Sequence, residues 1–377
     1  MIKLPNMLLI GATDRNVGKT TFACEMISRH NVANSVIGIK ITVIKESNGK
    51  CPRGGQGCGV CSSLKGNYLI TEEIDASTKK DTAQMLNAGA SKVFWLRVLD
   101  SSMKEGVNAL LKKIKKKTDK SVILICESNS IRKVIEPGLF IVLNNSDTDY
   151  IKPSCKSVIS YADKVLSLIN DNSQVDFNRF YINYGNWYFK EKATAIVLAG
   201  GESSRFGQDK SFIKINNKSL LEHITDQLTL HFDQIIIGSN SPKKHIGLGF
   251  ETIPDIKPGF GPLMGILSCL IKSKNKLNFI TACDIPYMNI RFIRKLLAEA
   301  DCYDIIIPYI NESKIEPLFG IYNTNVIDAV NTVLFDRKQR QIRKVFKLVK
   351  TGYVKMEDSA WYSNINTRKE YIDYIST

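Results

Sequence analysis

Leu198-Ala-Gly-Gly-Glu-Ser-Ser-Arg-Phe-Gly-Gln-Asp-Lys210 follows the short apolar run Ala195-Ile196-Val197-Leu198 and precedes the alternating segment Ser211-Phe-Ile-Lys-Ile215. An apolar strand that runs straight into paired glycines presents bare backbone amides at its carboxyl end, where phosphate oxygens approach without meeting a Cβ. The stretch reads as a triphosphate cradle. Gly200 and Gly201 follow Leu198 and Ala199, Arg205 adds a guanidinium fork and Lys210 a point charge. A Gly-Gly turn with two basic residues is, taken alone, most often a tight βα connection on a solvated surface. The complete spacing is far more specific.

At 377 residues the chain suits two domains of ordinary size, each able to bury its own core. Hydrophobic residues make up 44% and charged residues 24%, a globular composition that excludes wholesale disorder. No apolar run approaches the ~20 residues needed to cross a bilayer, and Met1-Ile-Lys leads directly into a strand-like run, so a cytoplasmic protein without membrane partners is expected. The net charge of +15 raises nucleic acid as a partner. The basic residues are spread along the chain, however, and their one dense run, Lys112-Lys-Ile-Lys-Lys-Lys117, suits a solvated helix face. With no aromatic–basic motif, nucleic acid is not expected. Nine cysteines without a secretion signal point to reduced thiols or a metal site, and Cys126, Cys269 and Cys283 lie in apolar segments where packing is the default.

Downstream of the cradle, Leu220-Leu-Glu-His223 begins a helix and Gln234-Ile-Ile-Ile-Gly238 is a buried strand. Asp255 opens Asp255-Ile-Lys-Pro-Gly-Phe-Gly-Pro-Leu-Met-Gly265, a loop rich in backbone-fixing residues before a helix from Ile266. The strand Leu277-Asn-Phe-Ile-Thr-Ala-Cys-Asp284 ends in a carboxylate, placed to hold magnesium against an α-phosphate. A lone Asp before Ile285-Pro286 is otherwise commonly a turn or cap residue. Glu316-Pro-Leu-Phe-Gly320 and Asn364-Ile-Asn-Thr367 close the series.

From about Ala193 to the C-terminus the chain resembles molybdenum cofactor guanylyltransferases (MobA). Their signature is L-A-G-G-x-S-x-R-x-G-x-D-K, and the fragments above stand in their order. The resemblance implies that Asp255 and the Gly-Pro-Leu turn help form the nucleotide pocket, that Asp284 carries magnesium, and that Glu316, Pro317, Asn364 and Asn366 face a pterin substrate. It also implies the reaction, transfer of GMP from GTP to molybdopterin or molybdenum-molybdopterin with release of pyrophosphate. Arg205, Lys210 and Asp284 would be the catalytic groups. Molybdoenzyme apoproteins or other cofactor-synthesis proteins are the further partners it leaves open.

In the first half, Met7-Leu-Leu-Ile-Gly11 reads as a buried parallel strand leading into Gly11-Ala-Thr-Asp-Arg-Asn-Val-Gly-Lys-Thr-Thr21 and a helix. Gly18, Lys19, Thr20 and Thr21 match the end of a Walker A loop, with amides and lysine for phosphate and a hydroxyl for magnesium. The front departs, since the standard spacing puts the first glycine at Thr13 while the available one is Gly11. This half resembles MobB, the P-loop adaptor of guanylyltransferases. The likeness rests on Lys40 in Val36–Thr42, on Lys80-Asp81-Thr82 with Ala88-Gly89-Ala90, and on Glu127 ending Val122–Glu127 where a Walker B acid would sit. The adaptor's histidine-rich stretch is replaced by Cys51-Pro-Arg-Gly-Gly-Gln-Gly-Cys-Gly-Val-Cys61. Cys58 and Cys61 have C-x-x-C spacing and Cys51 lies across a glycine-rich turn, so zinc and an iron–sulfur cluster are both candidates against a loop with free thiols.

The fold expected is α/β with two doubly wound domains: a P-loop NTPase-like domain over 1–170, a linker over 171–192 whose aromatics dock onto a surface, and a Rossmann-like nucleotidyltransferase domain over 193–377. Three other functions stay open: another nucleotidyltransferase of the cytidylyltransferase or sugar-phosphate type, against which Ala199-Gly200-Gly201 speaks, an adaptor that binds GTP or pterin with little catalysis of its own, and a metal-delivery or redox-sensing role for the cysteine cluster of the first domain.

Overall fold

Strands buried on both faces organise each half of the chain. The computed structural model divides into two compact units, Met1–Phe189 and Lys190–Thr377. It describes residues 1–45, 64, 66–118, 122–145, 150–168, 175–200, 213–215, 217–357, 359–365 and 367–375.

In the first unit β1 (Ile2–Ala12) is fully buried from Met7 onward and leads through a loop to α1 (Lys19–His30). There follow β2 (Val36–Ile44), β3 (Tyr68–Glu73), α2 (Asp81–Asn87), β4 (Lys92–Leu99), α3 (Met103–Lys116), β5 (Ile123–Glu127), β6 (Ile135–Asn145), α4 (Pro153–Lys156) and β7 (Lys164–Leu168). The sheet order is β3-β4-β2-β5-β1-β6-β7, and its pairs are parallel except β3 on β4. Parallel strands need cover on both faces, which explains their unbroken Val/Ile/Leu runs. One face packs Leu8, Ile10 and Ile125 against Phe22 and Met26 of α1, and the other packs Leu9, Phe94 and Cys126 against Val107 and Leu110 of α3.

The lysine run on α3 is only partly a solvated face. Lys112, Lys115 and Lys116 are exposed, but Lys117 pairs with Glu72 and Lys113 Nζ donates to the Ile70 carbonyl at 3.4 Å, so two of its charges cover the edge strand β3.

The described part of the segment read as a linker behaves differently from a tether. β8 (Phe180–Asn183) and β9 (Asn186–Phe189) form an antiparallel hairpin within the first unit. Its turn places Tyr184 and Gly185 at φ 47° and 75°, the two positive values a tight hairpin turn requires. Phe177, Phe180, Trp187 and Phe189 are buried in the α1 core, with Phe177 and Phe180 centred 5.2 and 5.6 Å from Phe22.

The second unit begins with β10 (Glu191–Leu198), followed by β11 (Lys214–Ile215), β12 (Lys218–Ser219), α5 (Leu220–Thr229), β13 (Phe232–Gly238), β14 (Glu251–Ile253) and α6 (Pro262–Lys272). It continues with β15 (Leu277–Ala282), α7 (Ile290–Ala298), β16 (Ile305–Asn311), β17 (Lys314–Ile315), β18 (Phe319–Asn323), α8 (Ile327–Asn331), β19 (Thr351–Lys355) and α9 (Arg368–Ile375). The order is β14-β13-β10-β15-β18-β16-β17, with β19 beside β16. β14, β13, β10 and β15 run parallel, whereas β18 is antiparallel to both its neighbours. That reversal sets the start of β18 against the end of β15, with Phe319 opposite Thr281. Residues far apart in sequence thereby share one edge of the sheet.

Two sequence expectations need adjustment. The helix expected from Ile266 starts at Pro262, because proline is tolerated in the first turn, where no backbone donor is required, and Gly261 at φ 76° makes the entry turn. Cys126 and Cys269 are buried as expected, but Cys283 is only partly so. Among the described residues no helix is long and apolar enough to cross a membrane.

Candidate active site

The second unit gathers its polar motifs at the carboxyl ends of its parallel strands. Leu198, Ala199 and Gly200 close β10, and the chain is held there from both sides: Ala199 N donates to Gly238 O at 2.8 Å, and Cys283 N donates to Leu198 O at 3.0 Å. Leu198 is buried, Ala199 partly so and Gly200 exposed, which brings bare backbone to the surface at the strand end. Gly201, Arg205 and Lys210 lie outside the described residues.

Next to this strand end stands Asp255, fixed by a reciprocal pair of bonds. Its amide donates to Asn240 Oδ1 at 2.8 Å and Asn240 Nδ2 donates to its Oδ2 at 2.9 Å. A methyl added at Gly265 would sit 3.4 Å from both Asp255 Oδ1 and Leu198 Cδ2, so Asp255, the first turn of α6 and the strand end adjoin. Asn240 carries no motif of its own and was not singled out in the sequence. Its signal was position, two residues past the buried strand β13.

Asp284, Glu316 and Asn364 come together around a residue that sequence reasoning missed, Tyr362. The phenol Oη donates to Glu316 Oε2 at 3.0 Å and is hydrogen-bonded with the Asn364 side chain. Burial, then the Glu316 and Asp284 carboxylates, push this phenol above the usual tyrosine range. Ile365 N donates to Asp284 O at 2.7 Å, which ties the closing segment to the end of β15. Pro317 contributes its carbonyl, which accepts from Tyr322 Oη at 2.7 Å and shapes the turn into β18. Asn366 lies outside the described residues. The hint for Tyr362 was its place two residues before Asn364, in an aromatic pair whose hydroxyl needs a partner once buried.

These groups suit phosphate chemistry assisted by a hard cation. Carboxylate oxygens at Asp284 and Glu316 are the donor type magnesium takes when substrate phosphates supply the rest. Among the described residues no group of three or more His, Cys, Asp or Glu side chains converges to hold a metal by itself. The metal candidates Cys51, Cys58 and Cys61 lie outside the described residues.

The first unit has its own polar centre. The loop between β1 and α1 uses left-handed backbone at Asn16 and Gly18, φ 57° and 89°. Thr13 is buried in the extension of β1, where its amide donates to Leu143 O at 2.9 Å. Gly11 serves another purpose than phosphate approach: a Cβ there would lie 2.7 Å from Asn129 Oδ1 and 3.0 Å from the Phe140 ring. Asn129 uses that space to bond both the amide and the carbonyl of Ala12, at 2.8 and 2.9 Å. Lys19, Thr20 and Thr21 form the first turn of α1. The Thr20 hydroxyl bonds the Glu127 carboxylate, and Lys40 and Lys19 lie within its electrostatic reach. Burial raises the Glu127 carboxyl above the usual range, against the pull of Lys40, Thr20 and Lys19, and its Oε1 is buried with no hydrogen-bond partner among the described residues. Lys40 pairs with Asp81 at the start of α2. Lys152 Nζ donates to Asp14 O at 3.0 Å, and burial together with nearby Lys19 lowers it to about 8.

The second unit therefore combines a mixed α/β sheet with four parallel strands, a glycine strand end and a carboxylate edge, the arrangement of a nucleotidyltransferase. The MobA-like NTP transferase domain family matches residues 195–351. A protein of Peptoclostridium acidaminophilum named "Probable molybdenum cofactor guanylyltransferase" is 32% identical over 195 residues, 48% of this chain and 87% of that protein. One of the same name from Clostridium perfringens is 33% identical over 193 residues, 49% of this chain and 96% of that protein. The crystal structure of molybdopterin-guanine dinucleotide biosynthesis protein A from Archaeoglobus fulgidus, 21% identical, covers 48% of this chain and 97% of its own, with a TM-score of 0.43. The chain belongs to the molybdenum cofactor guanylyltransferase family and is a nucleotidyltransferase.

Proposed function

We propose that the second unit transfers GMP from GTP to molybdopterin, or to its molybdenum form, and releases pyrophosphate. The observation that carries this reading is the convergence of Asp284, Glu316 and Asn364 on Tyr362, on the same sheet edge as Leu198–Gly200, in a chain of this family. An oxygen of the pterin's phosphate forms a bond to the α-phosphorus of GTP, the bond from that phosphorus to the bridging oxygen breaks, and pyrophosphate leaves with the electron pair. No covalent residue is needed, since positioning and charge neutralisation lower the barrier. Asp284 would hold magnesium, which when bound would supply positive charge to the reacting phosphates. The amides from Ala199 to Gly201 cradle the phosphates, and Arg205 and Lys210 take the charge of the departing pyrophosphate. Asp255, locked to Asn240, reads the nucleoside. Pro317 sets the turn that presents Glu316, and Asn364 and Asn366 face the pterin.

The experiment is pyrophosphate release with magnesium, molybdopterin and either GTP or CTP, with product mass. Pterin-dependent release with GTP, lost in Asp284→Ala, supports the reading. Release with CTP in preference makes the enzyme a cytidylyltransferase, and bound GTP or pterin without release makes it an adaptor.

For the first unit, nucleotide binding at Gly18–Thr21 is the reading that the buried Glu127 favours. A carboxylate that takes the Thr20 hydroxyl and keeps a second oxygen unbonded is suited to a magnesium-bound water beside a triphosphate. GTP is the nucleotide proposed, in keeping with an adaptor to a guanylyltransferase. Filter binding of labelled GTP to the wild type and to Lys19→Ala in the presence of magnesium tests it.

A further inference from the structure

Two ammonium groups converge at the loop between β1 and α1 of the first unit. Lys19 opens α1, whereas Lys152 arrives from the segment between β6 and α4. Their side chains stand within hydrogen-bonding reach of each other, and both can only donate. Like charges this close repel unless an anion joins them. The fold nevertheless holds Lys152 firmly in place. Its amide donates to Thr13 O at 2.8 Å, its Nζ donates to Asp14 O at 3.0 Å, and Asn129 Nδ2 spans Ala12 O and Ser154 Oγ at 2.9 and 3.4 Å. Residues 152–154 are thereby fastened along residues 12–14. The bond to Asp14 uses one of the ammonium's three donors and leaves the others for a ligand. Burial and Lys19 together outweigh the attraction of the Asp14 carboxylate, which turns Oδ1 back to the Arg15 amide at 2.7 Å. The loop's own donors are thinned at this end, since the Thr13 amide goes to Leu143 O and the Arg15 amide to Asp14. A second cation supplies what those amides withhold.

We propose that Lys152 is a second phosphate-binding cation of the first unit, closing with Lys19 on the phosphates of a nucleoside triphosphate. The proposal rests on the reading of Gly18–Thr21 as a nucleotide site. A phosphate oxygen shared by the two ammonium groups turns one repulsion into two charge-assisted hydrogen bonds. The contact is to phosphate alone, so inorganic triphosphate shares it with GTP.

Hydrogen–deuterium exchange on the full chain, read by mass spectrometry in the peptide 11–24, reports on this site apart from the second unit. With magnesium present, GTP and inorganic triphosphate should both protect that peptide in the wild type, and guanosine should not. Lys152→Met should raise the triphosphate concentration at half-protection about tenfold or more. Lys152→Gln should do the same, because its amide can still donate to Asp14 O but carries no charge. Lys152→Arg keeps the charge and should stay within about threefold of the wild type. Lys156→Met, at an exposed position on α4, should change nothing. Wild-type exchange in β1 and β5 shows that each variant is folded. Rescue by Lys152→Gln would make the lysine only a fastener of the loop and overturn the proposal. An equal loss in Lys156→Met, or protection by GTP but not by inorganic triphosphate, would overturn it too. Protection lost in Lys19→Ala yet unchanged in Lys152→Met keeps the nucleotide site and sinks the second cation alone, whereas no protection of 11–24 in the wild type sinks both.

Discussion

Removing one oxygen atom, by Tyr362→Phe, tests whether the carboxylate edge is held as a unit. The hydroxyl donates to Glu316 Oε2 at 3.0 Å, and the Glu316 side chain is only 15% exposed. A hydrogen bond to a charged acceptor contributes about 1.5–3 kcal/mol, and water recovers little of it at a site so shielded. Lys314, at 3.7 Å from Glu316, is 57% exposed and offsets on the order of 0–1 kcal/mol. The expected loss is about 2 kcal/mol in the second unit, or a fall of about 4–8 °C in its melting temperature for a domain of this size. In a Glu316→Gln background the lost bond is neutral and costs about 1 kcal/mol, which leaves a coupling of about 1 kcal/mol in a double-mutant cycle. Pyrophosphate release should slow by about tenfold in kcat while the KM for GTP stays the same, since the proposed function puts the phenol's partners Glu316 and Asn364 on the acceptor side. With the phenol pushed above its ordinary range it stays protonated from pH 6 to 9, and the ratio of wild-type to variant rates should be flat across that window. Additive effects of the two substitutions, or a variant with stability and rates like the wild type, would refute the reasoning.

Three other outcomes concern the first unit. Gly11→Ala should cost about 2–3 kcal/mol in denaturant unfolding, because the new methyl at 2.7 Å must expel Asn129 Oδ1 from its bond to Ala12; a loss under about 0.5 kcal/mol would show that the clamp yields. Glu127→Gln should stabilise this unit at pH 7–8 and weaken the magnesium-dependent nucleotide binding proposed for it. The carboxyl's folded pKa is raised by burial, so the folded state loses stability as pH rises above the unfolded value, and the gain in the variant should vanish below about pH 4.5 in melting scans. Lys152, lowered to about 8, should take up a proton when a triphosphate binds beside it. Calorimetry at pH 8 in buffers of different ionisation enthalpy should find uptake approaching about half a proton per site, and no buffer dependence would count against it.

Much of the scaffold could be read in the chain because unbroken runs such as Met7–Ile10 and Ala195–Leu198 have only one stable place, inside a parallel sheet. The position of Asp284 was legible for the same reason, since a carboxylate just past a buried strand emerges at the carboxyl end of the sheet. The hairpin at 180–189 was harder. Its aromatics signalled docking, but only the positive φ pair at Tyr184 and Gly185 distinguishes a folded hairpin from a tether. Asn129 and Tyr362 escaped notice because their roles arise from partners 117 and 46 residues away, and no local pattern encodes such distances. Gly11 misled for a related reason: its bareness accommodates a distant side chain rather than the loop that follows it.

The reversed strand β18 separates two inheritances along one edge. Its antiparallel course brings Glu316 and Pro317 in from a turn that no parallel strand of the sheet shares, while the glycine strand end and Asp284 arise from the parallel set. On the proposed function, acceptor preference would drift through residues 312–318 and the closing segment without disturbing the nucleotide grip, and a transplant of those two segments between relatives would exchange the molecule that is modified and leave the nucleotide that is spent.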